Sequence, residues 1–194
     1  MLLTIVPFMV YSQSIMRFWL VTPPEYSVIF VQIVLIHLLL RTFHAPLDIL
    51  FKAKGKIRKY QLIDSFTLFL SLPSSYVILR AGFPLYWVFI VICAVEVLNL
   101  FSVLLWARNC FDFPIKKYVK DVLFISFLAS AILSVMGYLF YMSLCPVNIL
   151  QLAIYVILFV ILEIPILYLL LNSSEKQYIN TILCRLVSVG KIRI

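Results

Sequence analysis

Acidic residues are scarce in this chain: eight Asp and Glu stand among 194 residues, against sixteen Lys and Arg. The net charge of +8 still does not describe a nucleic-acid surface. The basic residues gather in three short stretches between long apolar runs, which is how topology signals are distributed. Glycine is rarer still, at four, and with only nine prolines this argues against a loop-rich fold. The four cysteines, Cys93, Cys110, Cys145 and Cys184, are far apart and form no CxxC pair. They offer neither a disulfide framework nor metal-ligand spacing. The chain has no Gly-rich phosphate loop, no HExxH, no GxSxG and no internal repeat. No polar stretch is long enough to form a soluble domain that houses conventional catalysis. We therefore expect no enzymatic activity, no cofactor and no metal.

What the chain has in abundance is apolar side chains, 64% of its residues, with a mean hydropathy of +1.11. Globular domains are nearer half apolar, so the composition alone reads as a membrane protein. Six segments are long enough for a hydrocarbon core of about 30 Å, which takes about 20 helical residues. They are residues 2–20, 28–51, 60–79, 85–107, 119–142 and 149–171. The expected fold is an all-α polytopic bundle over residues 1–171, followed by a basic tail over 172–194. In that tail Ile179, Ile182, Leu183, Leu186 and Val187 repeat at helical spacing between basic residues. This predicts a helix lying on an anionic inner leaflet. The first segment reads as a retained span and not as a signal peptide, because no small-residue cleavage site precedes the next charge. Trp87 and Trp106 bracket the fourth segment about 28 Å apart, the spacing of two interfacial belts. Thirteen Lys and Arg follow the second, fourth and sixth segments, against Arg17 and Arg80 on the other side. The excess of positive charge puts both termini in the cytoplasm.

Charge inside the apolar runs is rare enough to name. The second segment carries His37, Arg41, His44 and Asp48. At about 100° of rotation per residue they share a wedge of about 60°. A charge near the bilayer centre costs at least about 2.5–3.5 kcal/mol on insertion scales, so such a stripe faces a wet cavity or another helix. Arg41 matches the geometry of a phosphate. His44 and Asp48 are neighbours on the helix surface and suit proton exchange. The structural alternative has Arg41 satisfied by Asp64 or Glu96 from another helix, and the histidines by hydroxyls. Asp64 is expected to be a solvated helix-end carboxylate beside Arg58 and Lys59. Glu96, with Asn99 on the next turn, lies deeper and either partners a cation or relays protons. Glu163 is expected to reach water at the inner end of the last segment. Asp64, Thr67, Ser71, Ser74 and Ser75 lie mostly on one face, fit to bond across helices or to line a wet path. Ser126, Ser130 and Ser134 have the spacing of a close helix contact.

Several short runs point further. They are Pro24-Glu25-Tyr26-Ser27-Val28-Ile29-Phe30, Gly55-Lys56-Ile57-Arg58-Lys59-Tyr60-Gln61, Leu72-Pro73-Ser74-Ser75-Tyr76 and Phe113-Pro114-Ile115-Lys116-Lys117-Tyr118-Val119-Lys120. In order and spacing they resemble the C-terminal part of bacterial polysaccharide (O-antigen type) flippases. These belong to the multidrug/oligosaccharidyl-lipid/polysaccharide exporter superfamily. The resemblance covers about residues 2–171. It implies two bundles of six helices around a central cavity, often with an added C-terminal pair. It also implies ion-coupled flipping of undecaprenyl-pyrophosphate-linked oligosaccharide across the bacterial inner membrane. Cavities in the family are basic, and Arg41 would be this chain's contribution, for the anionic head group. His37, His44, Asp48, Asp64 and Glu96 would line the cavity or couple protons. The chain departs from the family in size, since its segments correspond to the last four helices of the second bundle plus the extra pair. It then reads as a truncated or partial chain. Its expected partners are lipid-linked oligosaccharide, membrane lipids and the missing lobe or another polysaccharide-assembly membrane protein, with no nucleic acid. A multidrug or toxin exporter fragment, and a non-transporting membrane subunit or remnant, remain as alternatives.

Overall fold

The computed structural model of the chain describes residues 1–20, 22–111, 113–143, 149–170, 176 and 181. Among them are ten α-helices and one π-helical turn, with no strand. In order they are α1 (Leu2–Val10), α2 (Ser12–Trp19), α3 (Ser27–Thr42), α4 (Ala45–Ala53), α5 (Ile57–Phe69) and α6 (Ser71–Arg80). Then come α7 (Tyr86–Phe111), α8 (Ile115–Tyr118), the π turn Val119–Phe124, α9 (Ile125–Ser143) and α10 (Ile149–Leu170). The expected surface helix over residues 179–187 lies, apart from Thr181, outside the described residues.

Proline divides several of the long apolar runs. Pro46 lacks the N–H that would reach the Thr42 carbonyl, and α3 gives way to α4 around Phe43 and His44. Pro73 does the same to the Phe69 carbonyl, and α5 gives way to α6 at Leu70. Pro7 lies inside α1, and the chain turns at Tyr11 with φ −90° and ψ 8°. There the Ser12 hydroxyl donates to the Met9 carbonyl, and Gln32 of α3 donates to Ser12 Oγ.

Among the described residues five stretches are long and apolar enough to cross a bilayer: Ser27–Ala53, Ile57–Arg80, Tyr86–Phe111, Ile115–Leu139 and Leu150–Leu169. The first of the six expected segments is not among them, because the break at Tyr11 leaves helices of nine and eight residues. Between α4 and α5 the chain reverses through Gly55, whose φ of +69° favours a residue without a Cβ.

Helix α7 is the hub of the first packed group and meets α3, α5 and α6. At one end of this group Phe51 of α4 stacks on Trp106 of α7, 4.6 Å between centroids and 6° between planes. Tyr60 of α5 stacks on Phe51 at 5.1 Å. Trp106 is thus half-buried between helices. Leu47, Leu100, Val103, Leu104 and Ala107 complete the core around the stack.

The second group joins α1, α9 and α10 around Val6, Leu133 and Phe159. Its close contact is at Gly137, where a Cβ would lie 2.7 Å from Val10 Cγ2 and 2.9 Å from Phe159 Cζ. The buried stripe of α9 is therefore Ala129, Leu133 and Gly137, one face round from the expected Ser126, Ser130 and Ser134, which are half-buried.

Only 6–33% of each crossing window is buried within the chain. The outward faces carry Leu98, Phe101 and Leu105 on α7, and Ile154, Ile157 and Ile161 on α10. An apolar surface of this extent is untenable in water, whereas lipid accepts it because each helix satisfies its own backbone.

Candidate functional site

Three crossing stretches bring their rare polar residues to one place. Helix α3 presents Arg41 in its last turn, and His44 follows in the break before α4. Asp64 lies midway along α5. Glu96 and Asn99 lie on adjacent turns of α7, on the face buried against α3 and α5.

Arg41 Nη1 donates to both oxygens of Glu96, at 3.3 and 3.4 Å. Its Nη2 lies 3.5 Å from Asp64 Oδ2. Asn99 Nδ2 donates to Asp64 Oδ1 at 2.6 Å. His44 Nε2 lies 3.3 Å from Glu96 Oε1. That approach lacks hydrogen-bond geometry, and neither ring nitrogen of His44 has a hydrogen-bond partner among the described residues. Tyr118 closes the region by donating to the Phe43 carbonyl at 2.7 Å, at the break that carries His44.

The structural alternative for Arg41 is thus met twice, by Asp64 and by Glu96. Asp64 is buried, contrary to the expectation of a solvated helix-end carboxylate. Its neighbours are Arg41 and Asn99, and among the described residues it forms no ion pair with Arg58 or Lys59. Asp48 does not pair with His44 either. It binds Lys52 one turn on, at 2.6 Å, where an acid followed by a base four residues later is a favourable helix pair. His37 remains apart, with Nδ1 buried and lacking a hydrogen-bond partner among the described residues. Two of the hydroxyls of α5 and α6 bond within their own run: Thr67 donates to the Ile63 carbonyl and Ser74 to the Leu70 carbonyl.

The cluster holds one fixed cation against two carboxylates. With His44 neutral and both carboxylates ionised it carries one net negative charge, and a protonated His44 balances it. Access is uneven. The Arg41 side chain is 44% exposed, whereas those of Asp64 and Glu96 are 11% and 0% exposed. On the outer surface an open groove of about 770 Å³ runs between α5, α6 and α7, and none of Arg41, His44, Asp64, Glu96 or Asn99 lines it. Leu62, Ile63, Phe66, Leu70, Val95 and Leu98 give it an apolar lining. Among the described residues no three His, Cys, Asp or Glu side chains converge as metal ligands.

Sequence reasoning did not assign Asn99 to Asp64, although its place one turn from Glu96 was the available signal. It also misplaced Glu163, which is fully buried. No protein family, no curated protein and no solved structure matches the chain.

Proposed function

We propose that this chain is part of a transporter that flips undecaprenyl-pyrophosphate-linked oligosaccharide across the bacterial inner membrane. Arg41 is the residue that attracts the pyrophosphate head. The observation that carries this reading is the half-exposed guanidinium of Arg41, anchored to two buried carboxylates in otherwise apolar spans. Ionisable groups at such depth mark substrate or ion pathways by default. The open apolar groove between α5, α6 and α7 suits a prenyl chain.

Coupling follows from the charge count. While both carboxylates are ionised, Arg41 is more than neutralised and an anionic head gains little. A proton delivered to Glu96 through His44 removes one of the two counter-charges, brings the cluster from one net negative charge to neutrality and frees Nη1 of Arg41 for the head, while Nη2 stays beside Asp64. Proton uptake and head-group binding then favour one another. His37 and Asp48 act on the field around this site. Alternating access rocks one bundle against another, so the working transporter includes a second lobe or another membrane protein. The chain itself performs no enzymatic step.

The topology proposed is six crossings with both termini cytoplasmic. α1 and α2 together run about 27 Å at the helical rise, long enough to reach across despite the break. To test the substrate site, Arg41→Ala and Arg41→Lys are introduced in the bacterium that carries the gene, and surface polysaccharide is scored. We expect loss with Ala and a reduced level with Lys, at unchanged protein in the membrane. Normal polymer in both variants removes Arg41 from the mechanism.

The excess of carboxylate over arginine favours a second reading, a multidrug or toxin exporter that takes a cation. In that case Glu96→Gln abolishes resistance to cationic compounds while Arg41→Ala spares it. A non-transporting subunit would insert stably and show neither phenotype.

A further inference from the structure

The second helix group holds a titratable residue that the ion cluster does not use. Glu163 of α10 is fully buried, and neither carboxylate oxygen has a hydrogen-bond partner among the described residues. It lies one turn from Phe159, on the face that packs against α1 and α9. α10 packs on α1, α2 and α9, and none of these elements belongs to the Arg41 cluster.

The charges around it are few. Arg17 is the single charged side chain on α1, α2 or α9, and it is exposed. The Met1 amine, Tyr138 and Tyr168 are exposed as well. Tyr11, Tyr141 and Tyr155 are the titratable groups turned inward, and they carry no charge at neutral pH. Lys176, beyond the end of α10, donates to the Leu169 carbonyl at 3.2 Å and lies over the Tyr168 ring.

An ionised carboxylate without a cation or a donor is far costlier to bury than a neutral acid. A hard metal cation is an equally poor occupant, because it takes six or more oxygens and α10 and its neighbours supply no second carboxylate. We propose that Glu163 is a proton-binding site at the α1–α9–α10 interface, loaded while these helices pack together and discharged when α1 separates from α10. Discharge is a simple loss of the carboxyl proton to water, leaving the carboxylate. Pro7 and Pro165 lie inside α1 and α10, and proline is the common place for a helix to kink. This site stands whether or not Arg41 binds an anion.

The test is infrared spectroscopy on the intact chain in phospholipid nanodiscs, wild type against Glu163→Gln, from acid to alkaline pH. Alongside it, amide hydrogen exchange of α1 is compared between the two proteins at each pH. We expect a protonated-carboxyl band in the wild type that is missing from Glu163→Gln and fades as the pH rises. As it fades, α1 loses protection in the wild type only, since the Gln variant cannot ionise. Identical carboxyl regions in the two proteins would overturn the proposal. So would a band that fades while α1 protection stays equal in both.

Discussion

Glu96 holds the guanidinium of Arg41 and sits against the ring of His44, so two side chains share one carboxylate. Groups in such a network do not contribute independently. A double-mutant cycle of Arg41→Ala and Glu96→Gln should show a coupling of about 0.5–3 kcal/mol in unfolding free energy, and additivity would mean that the pair is not formed. Asn99 tests the other carboxylate. Its 2.6 Å bond is a charge-assisted contact with a buried Asp64, and Asn99→Ala should destabilise the protein by about 1.5–3 kcal/mol, read from denaturant unfolding in detergent.

At this scale the sequence placed Arg41 and His44 on one face, since helical phase is a local property. It named Asp64 and Glu96 as possible counter-charges because few carboxylates lie in the spans. It missed that both converge on Arg41, which depends on how α5 and α7 pack. Asp48 left the stripe because a short-range partner, Lys52, was one turn away.

Among elements, proline and close packing decide the shape. The ends of α10 and α7 were legible within a few residues, because long uninterrupted apolar runs leave one choice. The divisions at Tyr11, Phe43 and Leu70 were not placed, although Pro7, Pro46 and Pro73 stood in view. A proline in a span permits a break, and the neighbouring hydroxyls and helices determine whether one forms. The serine stripe of α9 failed for a related reason. The stripe that packs carries a large residue, Leu133, between Ala129 and Gly137, and the close approach of Val10 and Phe159 falls at Gly137 alone.

Gly137→Leu should therefore overpack the α1–α9–α10 contact and cost about 1–3 kcal/mol, seen as a lower thermal unfolding midpoint. Phe51→Ala removes a ring stacked between Tyr60 and Trp106 and should cost about 3–5 kcal/mol by the same measurement. A Gly137→Leu midpoint equal to wild type would place open space where the structure has contact.

Among the described residues the molecule is all-helical, with five stretches fit to cross a membrane, and its membrane character was plain from composition. The sidedness proposed from Lys and Arg gives a direct expectation. Single cysteines placed at Lys56 and Lys117 in a chain stripped of its own cysteines should be shielded from an impermeant thiol reagent in intact cells. A cysteine at Gly82 should be labelled. The reverse pattern inverts the topology.

The central claim is that Arg41 meets an anionic lipid head once a carboxylate lets go of it. Native mass spectrometry of the purified chain with undecaprenyl pyrophosphate measures this directly, using wild type, Glu96→Gln and Arg41→Gln. The account predicts retained lipid in the wild type, more in Glu96→Gln, and loss in Arg41→Gln. Equal retention by all three would contradict it.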